Sequence, residues 1–387
     1  MADYTDNPPA AAFADIHLKI SSFDTEACLC AAREHNVDGI MTLGTDQPVY
    51  TAAVVAEALG LPSCIDCETA LAVTNKQVMK TLLTKAGIPT VRYRFVDETT
   101  TAEDLAELRA PLVIKPLDTQ GQRGIYKHDT PIEILTRLPE TLSYSRQKTA
   151  LVEEFYESDE ITVSAWVKDG TPYLLAVTDR LLYPDPVHIG VCTGHRFPSI
   201  HMDKYDEIAD ICRSNTRAFG IANGPLYVQL LHGREGLKVN ELACRIGGAF
   251  EDFFIPYLCG FSILDAVIGS ALGEHDAGDV SALRNYAPNR CARQVAVQLT
   301  FCSSGKVGSI TPLEELRRLP FVLDAGYNYC VGDTIPILQN ATARFGHAVL
   351  IADSQTDMKE NILKFYDIFQ VSDIHGQPMV RRCYPNY

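Results

Sequence analysis

Two short runs in the middle of the chain, Leu226–Leu231 and Lys238–Gly248, are rich in apolar positions and have the composition of strands. The residues between them, HGREGL, include two glycines, so the pattern predicts an antiparallel hairpin with its turn near Glu235. In that register Gln229 lies opposite Glu241, and directly opposed residues have Cβ atoms about 5 Å apart. We therefore expect the two side chains to be close enough to share one divalent ion.

Strand alternation divides the side chains of the second run between two faces. Glu241, Ala243 and Arg245 fall on one face, and Asn240 falls on the other. Together with Gln229, the first face offers two oxygen ligands followed by a cation. This combination is a candidate site for Mg²⁺, a phosphate group and an anionic substrate.

The N-terminal part of the chain has the pattern of short helices around one strand. Segments 24–36 and 47–60 show the apolar spacing of amphipathic helices, and the second ends at a glycine. Residues 37–44, VDGIMTLG, have the composition of a short buried strand. This order predicts a small parallel α/β domain. We expect only part of such a domain, because no first strand and glycine turn come before it.

A helix predicted over 75–87 carries three lysines, Lys76, Lys80 and Lys85. It ends at a glycine, with a proline just beyond. Lysines on such a helix are usually solvated surface residues, and the alternative is that one of them binds phosphate. The pattern alone leaves both interpretations open.

The segment Pro111–Tyr126 combines a short apolar strand ending near Lys115 with a polar loop that contains Gly121 and Gly124. No GK[ST] sequence occurs and no helix follows, so this is not a Walker A loop. A glycine-bearing loop between strands can fold over a triphosphate with its N–H groups pointing inward. An ordinary hairpin turn is the alternative interpretation.

The segment Ala150–Val167 has the pattern of a strand, a short acidic link and a second strand. The backbone of Glu154–Tyr156 could contact an adenine edge, and the Glu160 carboxylate could contact ribose hydroxyls. A solvated acidic bend is the alternative, since charge runs of this kind usually face water. Later segments predict an amphipathic helix over 206–220, a buried helix pair over 249–273, and short strands followed by a long closing helix.

Composition limits the class of protein. The chain has 387 residues, of which 46% are hydrophobic, which predicts a folded protein of two or three domains. Its formal net charge of −15 disfavours nucleic acid and anionic membranes as general partners. No apolar run approaches a membrane span, and the first twenty residues lack a secretory signal pattern. Twelve cysteines without such a signal favour a reducing, cytoplasmic location.

Taken in order, four motifs resemble the ATP-grasp superfamily, and the resemblance covers nearly the whole chain. They are NK…KAGIP, VIKP with its glycine loop, LVEEF…E, and the carboxylate hairpin that ends in R-x-GG. Within the superfamily the chain looks closest to the carboxylate–amine ligases, including L-amino-acid ligases, and to the purine-pathway carboxylases. The DGIMTLGTD run resembles the domain before the grasp in this group, which includes carbamoyl-phosphate synthase.

The resemblance implies an α/β (α+β) architecture with the ATP-grasp fold. A partial Rossmann-like domain would occupy residues 1–72, and the ATP-grasp domain would occupy 73–290. A mobile lid would cover about 110–168, and a C-terminal mixed sheet would fill 291–387. It also implies ATP as cofactor with Mg²⁺, or alternatively Mn²⁺, small-molecule carboxylate and amine substrates, and a homodimer as in many relatives.

By position, the resemblance also assigns roles to individual residues. The nucleotide-binding positions are Lys76, Lys115, Gln120, Gly121, Gly124, Glu153, Glu154, Phe155, Tyr156 and Glu160. The metal ligands are Gln229 and Glu241. The catalytic positions are Arg245, Lys115 and Glu241. The substrate positions, matched more loosely, are His195, Arg245, Gly247, Gly248 and Arg344.

The implied activity is an ATP-dependent ligase that joins a carboxylate to an amine through an acyl phosphate and releases ADP and phosphate. The alternatives are a carboxylase that activates bicarbonate and a non-catalytic nucleotide-binding protein. Ala243 departs from the family pattern, which often has asparagine two residues beyond the metal-binding glutamate. Because Asn240 is assigned to the opposite face, we do not expect it to replace that ligand. The second departure is the shortened start.

Overall fold

The computed structural model describes residues 1–119, 123–183, 190–338 and 340–382. Within these ranges the α-helices are α1 Thr25–Glu34, α2 Gln47–Leu59, α3 Cys67–Thr74, α4 Lys76–Lys85, α5 Pro131–Thr136, α6 Leu138–Ser143, α7 Tyr205–Ala218, α8 Glu251–Cys259, α9 Ile263–Leu272, α10 Leu313–Arg317 and α11 Gln355–Ile368. The strands are β1 Tyr93–Val96, β2 Leu112–Pro116, β3 Tyr126–His128, β4 Ala150–Glu154, β5 Ser158–Lys168, β6 Thr171–Leu182, β7 Cys192–Phe197, β8 Gly224–Gly233, β9 Gly236–Ala243, β10 Gln294–Cys302, β11 Gly305–Ile310, β12 Val322–Tyr327, β13 Thr334–Ile335, β14 Gly346–Ala352, β15 Val371–Asp373 and β16 Val380–Arg381.

These strands form three antiparallel sheets in the described part of the chain. A small sheet has the order β1-β4-β2-β3, and a nine-stranded sheet has the order β12-β14-β10-β7-β6-β5-β8-β9, with β16 paired to β10. The third sheet has the order β13-β11-β15. The mixed helix and sheet class predicted from the sequence is confirmed, and most of the predicted helices and strands are present.

The small and large sheets are connected directly through β4 and β5. Ala150–Glu154 belongs to the small sheet, whereas Ser158–Lys168 belongs to the large one, with three residues between them. The glycine-bearing loop after Lys115 joins β2 and β3, which are hydrogen-bonded neighbours in the small sheet. The two sheets are therefore joined by a short link, and residues from both of them line the cleft described below.

Both faces of the large sheet are covered by apolar side chains. Along β5, Ile161 and Val163 pack into one core with residues of α4 and α7, while Trp166 packs into another core with residues of α8 and α9. This division follows from strand alternation, which sends successive side chains to opposite faces. A third core lies between α11 and strands β10 and β14, and a fourth lies under the small sheet.

The predicted strand at residues 37–44 is wrong. These residues contain no strand, and Met41 and Leu43 are exposed. A strand needs a partner for its N–H and C=O groups, and residues 1–72 contain none of the strands listed above. The helices on either side of the segment are present, and α2 ends at Gly60 in the left-handed conformation, as the sequence predicts.

The described residues contain no single helix long and apolar enough to cross a membrane. The helices α8 and α9 meet that test of length and composition only when taken together, and they are bent by 108° at the break between them.

Candidate active site

A cleft of about 760 Å³ lies between the small and large sheets. Most of the residues predicted for the site line it, although they come from widely separated parts of the chain. They are Lys76, Lys115, Glu153, Glu154, Phe155, Tyr156, Glu160, His195, Gln229, Glu241, Arg245, Gly248 and Arg344. Gly124 and Gly247 are not among the lining residues, and Gln120 and Gly121 lie outside the described part of the chain. The individual roles of all these residues stay predictions.

The central hairpin has the predicted pairing, in which Gln229 lies opposite Glu241. The register shifts immediately afterwards, because Leu230 pairs with Val239 and leaves Asn240 as an extra residue in β9. This is a β-bulge, and a bulge interrupts strict alternation between the two faces. Asn240 and Glu241 consequently both line the cleft. The prediction that Asn240 points to the other face is wrong for this reason.

Lys115 belongs to a buried charge cluster with Glu153 and Lys80. Glu153 forms ion pairs with both lysines, and its Oε1 lies 2.6 Å from Lys80 Nζ. Lys115 Nζ also lies 3.3 Å from Asn240 Oδ1, which joins the small sheet to the bulge. Lys80 donates a further hydrogen bond of 2.7 Å to Thr90 Oγ1. The cluster holds the Lys115 ammonium group at the cleft wall.

Burial and ion pairing act in opposite directions on these three groups. Burial alone would raise the pKa of Glu153, but Lys115 and Lys80 outweigh it and lower the pKa to about 2. Burial lowers the pKa of Lys80 despite the opposing effect of Glu153. For Lys115, burial is outweighed by Glu153, Glu241 and Glu160, so its pKa lies above the ordinary value. Glu153 therefore stays ionised at neutral pH.

Lys76 is the first residue of α4, and the Asn75 side chain caps that helix by accepting hydrogen bonds from two backbone N–H groups. Lys76 Nζ donates a 3.0 Å hydrogen bond to the Thr119 carbonyl, at the start of the glycine-bearing loop. Gly124, further along the loop, has φ of +71°, and a side chain there would collide with the Tyr144 ring. The position of Gly124 thus requires glycine for local packing.

Residues 154–156, which the resemblance assigns to a nucleotide-binding hinge, lie at the link between the two sheets. The Glu154 side chain accepts hydrogen bonds from the Arg109 guanidinium and backbone, so its carboxylate is already engaged. Phe155 lies under the Lys127 ammonium, 3.4 Å from the ring centroid. The Tyr156 hydroxyl donates a 2.8 Å hydrogen bond to the Gly236 carbonyl. The hinge is therefore held to the hairpin tip as well as to the small sheet.

Glu160, assigned to ribose by the resemblance, is paired inside the cleft with Arg180 and Gln229. It forms an ion pair with the Arg180 guanidinium, and its Oε2 accepts a 2.8 Å hydrogen bond from Gln229 Nε2. Because the amide nitrogen of Gln229 is engaged in this way, its amide oxygen is the atom left to act as a ligand. The two carboxylates Glu160 and Glu241 lie on either side of Gln229, on neighbouring strands.

Arg245 is buried and forms an ion pair with Asp46, the residue before α2. Its guanidinium also lies over the Tyr227 ring, 4.6 Å from the centroid. Burial would lower the pKa of Arg245, but Asp46 outweighs it and raises the pKa. The N-terminal helical region thus contributes a carboxylate that fixes the predicted catalytic arginine.

The glycines after Arg245 allow a close approach by Glu251. A Cβ at Gly247 would lie 1.9 Å from Glu251 Oε1, so a larger residue there would displace the Glu251 carboxylate from this position. Glu251 is buried and accepts a 2.8 Å hydrogen bond from the Ala249 backbone N–H. Burial raises the pKa of its carboxyl group to about 7. Phe250, between these residues, has φ of +62° and stacks on His347.

His195 and Arg344 also line the cleft. His195 Nδ1 is 3.2 Å from Thr162 Oγ1 and 3.1 Å from Thr178 Oγ1. Burial, followed by the positive charges of Arg180 and Arg344, lowers the pKa of His195 to about 3, so its ring is neutral. Burial also lowers the pKa of Arg344.

Sequence reasoning missed four residues of this site. For Lys80 the helix pattern leaves a surface role and a phosphate-binding role open, although its position four residues after Lys76 places both on one helix face. Asn240 was assigned to the wrong face, and Asp46 and Arg180 were not considered. Asp46 lies in the quoted DGIMTLGTD motif, which is the signal that could have identified it. Nothing in the pattern around Arg180 distinguishes it.

The donor set of the hairpin fits a hard divalent cation only with help from a bound phosphate. Glu241 supplies a carboxylate, while Gln229 and Asn240 supply amide oxygens, and Mg²⁺ prefers oxygen ligands. The described residues contain no group of three His, Cys, Asp or Glu side chains that could hold a metal ion alone. The residues present therefore fit Mg²⁺ bound together with nucleotide phosphates.

Comparison with known proteins bears on the fold. The family model described as L-amino acid ligase C-terminal domain 2 matches residues 297–371. The L-arginine-specific L-amino acid ligase of Bacillus subtilis is 23% identical over 332 residues, covering 81% of this chain and 75% of that protein. The structure of an L-amino acid ligase from Bacillus licheniformis has a TM-score of 0.75 at 20% identity, covering 95% of this chain and 89% of that one. The chain has the ATP-grasp fold.

A second solved structure extends the range of ATP-grasp neighbours. The biotin carboxylase domain of the Hydrogenobacter thermophilus 2-oxoglutarate carboxylase, solved with MgADP and bicarbonate, has a TM-score of 0.71 at 13% identity. It covers 96% of this chain and 83% of that chain. The resemblance to ATP-grasp ligases and carboxylases predicted from the sequence is confirmed by these comparisons, with L-amino acid ligases among the similar proteins.

Proposed function

We propose that the protein is an ATP-dependent carboxylate–amine ligase of the amino-acid type, working through an acyl phosphate. The observation that carries the proposal is the convergence of Lys76, Lys115, Glu241 and Arg245 on one cleft between two sheets. Phosphoryl transfer needs positioning and charge stabilisation more than a protein nucleophile. These four side chains supply the positioning and the charge stabilisation.

In the first step, a substrate carboxylate oxygen attacks the γ-phosphorus of ATP. The bond between that phosphorus and the ADP oxygen breaks, and an acyl phosphate and ADP form. Lys76 and Lys115 bind phosphate oxygens, and Arg245 binds the anionic acyl group. Glu153 keeps Lys115 oriented toward the phosphates, and Asp46 keeps Arg245 oriented toward the substrate.

In the second step, the nitrogen of a neutral amine attacks the acyl carbon, and phosphate leaves with the electrons of the broken C–O bond. The amine loses one proton as the amide forms, and the departing phosphate takes it up. An acyl phosphate hydrolyses in water, so the cleft has to exclude solvent while the amine reacts. The small sheet, which carries Lys115 and the glycine-bearing loop, is the part of the fold suited to cover the cleft.

Gln229, Asn240 and Glu241 would hold Mg²⁺ together with phosphate oxygens. When bound, the ion neutralises charge on the phosphates during their transfer. The L-amino acid ligase likeness supports an amine as the acceptor. The carboxylase likeness supports the ATP site and leaves bicarbonate as an alternative acid.

The proposal is tested by measuring ADP release over a panel of amino acids, singly and in pairs, with and without bicarbonate. We expect release only when a carboxylate and an amine are both present. Release that requires bicarbonate would favour a carboxylase, and no release under any condition would favour a nucleotide-binding protein. Formation of AMP and pyrophosphate would contradict the proposal.

The Glu241→Gln variant tests the metal assignment within the same assay. Removing the only carboxylate of the donor set should lower turnover at least 100-fold, on the order of the loss of one key electrostatic group. Because Glu241 is partly exposed in the cleft, the fold should remain intact. Glu360→Gln, which changes an exposed glutamate on α11, is the matched control and should keep wild-type turnover. Wild-type turnover in Glu241→Gln would exclude the assignment.

A further inference from the structure

The backbone of Phe250 adopts a conformation that aromatic residues rarely take. Its φ and ψ are +62° and +37°, in the left-handed region, where a side chain larger than that of glycine is strained. Strain of this kind persists only where the surrounding structure imposes it. The conformation of Phe250 therefore requires a contact that holds its side chain in place.

That contact is a ring stack with His347, which belongs to β14. The two ring centroids are 3.5 Å apart, and the ring planes are inclined by 12°. Phe250 comes a few residues after β9, at one end of the strand order of the large sheet, whereas β14 lies near the other end. The stack therefore connects the segment that follows the central hairpin to a distant strand.

The His347 ring is itself fixed by groups from β12 and α10. Its Nε2 lies 2.7 Å from Asp324 Oδ2, and the other oxygen of Asp324 lies 3.7 Å from the Arg317 guanidinium. Gly326 pairs with His347 across the two strands, and a Cβ at Gly326 would lie 2.7 Å from Cε1 of the ring. Glycine at this position leaves the space that the ring occupies. His347 is thus a rigid support for Phe250.

The conformation of Phe250 determines how the residues on either side of it meet. The Ala249 N–H donates a 2.8 Å hydrogen bond to Glu251 Oε2, between the two residues that flank Phe250. Rotation of the Phe250 φ to a negative value would turn Ala249 away from this carboxylate and break the bond. Gly248 and Ala249 line the cleft, whereas Phe250 and His347 are not among its lining residues. His347 therefore acts on the cleft through the backbone of Gly248 and Ala249.

This part of the backbone offers a donor to a ligand. Within the described part of the chain, the Gly248 N–H donates no hydrogen bond. Gly248 comes three residues after Arg245, to which the proposed function assigns the anionic acyl group, and both residues line the cleft. A backbone donor stabilises a ligand most when its direction is fixed before the ligand binds. Fixing the segment is thus relevant to the substrate bound beside Arg245.

We propose that His347 is a positioning residue, whose stack with Phe250 holds the Gly248–Ala249 backbone in the place where the carboxylate substrate binds. The inference rests on the proposed function for the identity of that substrate. The nucleotide phosphates are assigned to Lys76 and Lys115, on α4 and the small sheet. Loss of the stack should therefore affect the carboxylate substrate and leave nucleotide binding unchanged.

Amide hydrogen exchange of the full chain, with Mg²⁺ and a nonhydrolysable ATP analogue, tests the stack without requiring turnover. Ala249 is the reporter, because its N–H is bonded to Glu251. His347→Leu and Phe250→Leu each remove one ring, so exchange of the segment 246–252 should become about 3- to 10-fold faster, as for the loss of an aromatic pair. His347→Phe and Phe250→Tyr keep two rings and should exchange as the wild type does. His275→Leu, which changes a fully exposed histidine, is the matched control.

Steady-state kinetics test the positioning role with any substrate pair that releases ADP. In both leucine variants, kcat/KM for the carboxylate substrate should fall by the same factor of about 3 to 10, while KM for ATP stays unchanged. The two variants that keep a ring pair should recover the wild-type kinetics. A residue that merely stabilised the fold would alter the parameters of both substrates alike.

The outcomes separate this inference from the proposed function. Wild-type exchange in His347→Leu would overturn the inference, and faster exchange over the whole chain would overturn it as well, as a general loss of stability. Faster exchange confined to 246–252 with unchanged carboxylate kinetics would also overturn the positioning role. If no substrate pair released ADP, the ligase activity would be contradicted. Faster exchange confined to 246–252 would then still support the role of the stack in fixing this segment.

Discussion

Replacing Lys80 with methionine removes one partner from the buried charge cluster. The Lys80 side chain is only 1% exposed, and its Nζ contacts both Glu153 Oε1 and Thr90 Oγ1. Breaking one side of a buried ion pair typically costs about 3–5 kcal/mol. Glu153 keeps Lys115 as a partner, so we expect a loss near the lower limit, about 3 kcal/mol in the free energy of unfolding.

The same variant should also weaken ATP binding. In the wild type, Glu153 divides its charge between two lysines, and Lys115 retains positive charge for the phosphates. Without Lys80, the Glu153 carboxylate pairs with Lys115 alone and compensates more of that charge. We expect ATP affinity to fall about tenfold, which corresponds to about 1.4 kcal/mol.

Urea unfolding followed by the fluorescence of Trp166, the only tryptophan in the chain, measures the first effect. Calorimetric titration with a nonhydrolysable ATP analogue and Mg²⁺ measures the second. Lys85→Met is the matched control, because Lys85 lies on the same helix and is exposed. Its effect should stay within about 0.5 kcal/mol. If Lys80→Met behaved like this control in both measurements, the argument for the cluster would be refuted.

Two further predictions concern the hairpin and the loop after it. The pKa of Glu251 is raised from 4.5 to about 7, so the folded state binds its proton more tightly, and its contribution to stability declines as pH rises from about 4.5 to 7. Glu251→Gln should remove this decline. Between pH 4.5 and 8 the free energy of unfolding of the variant, measured by urea unfolding, should rise by up to about 3 kcal/mol relative to that of the wild type. Parallel pH profiles for the two proteins would contradict the burial argument. Asn240→Ala should weaken the apparent Mg²⁺ affinity several-fold in a metal titration of analogue binding, by removing one oxygen donor and the contact with Lys115. Asn285→Ala, at an exposed position that does not line the cleft, is its control, and equal Mg²⁺ affinity in both variants would exclude Asn240 as a ligand.

The sequence predicted the secondary structure around the site well because strong local signals specify it. The hairpin register follows from alternation and a short turn, and the strand–link–strand pattern at residues 150–167 is equally clear. Local patterns fail where the outcome depends on contacts with distant residues. The VDGIMTLG segment has the composition of a strand but no partner strand. The bulge at Asn240 adds one residue to β9, and no glycine or proline marks that position in the sequence.

In the candidate site as well, local patterns predict some residues, whereas others depend on contacts with distant parts of the chain. The motif residues were predicted to lie together, and the described ones largely do. Lys80 and Arg180 could not be assigned from the sequence, because their importance comes from burial beside Glu153 and Glu160. A lysine on an amphipathic helix becomes part of the site only when another sheet covers it. The carboxylate that reaches it comes from a strand about seventy residues further along the chain.

The three-residue link between β4 and β5 is short enough to serve as the axis for a rotation of the small sheet. A strand of five residues is about 17 Å long, so a rotation of 15° about one end would displace the other by roughly 4 Å. A displacement of that size would separate Lys115 from Asn240 while leaving each sheet internally paired. Such a rotation would also break the Glu153–Lys80 ion pair, so opening the cleft for a nucleotide has to overcome this buried pair together with the Lys115–Asn240 contact.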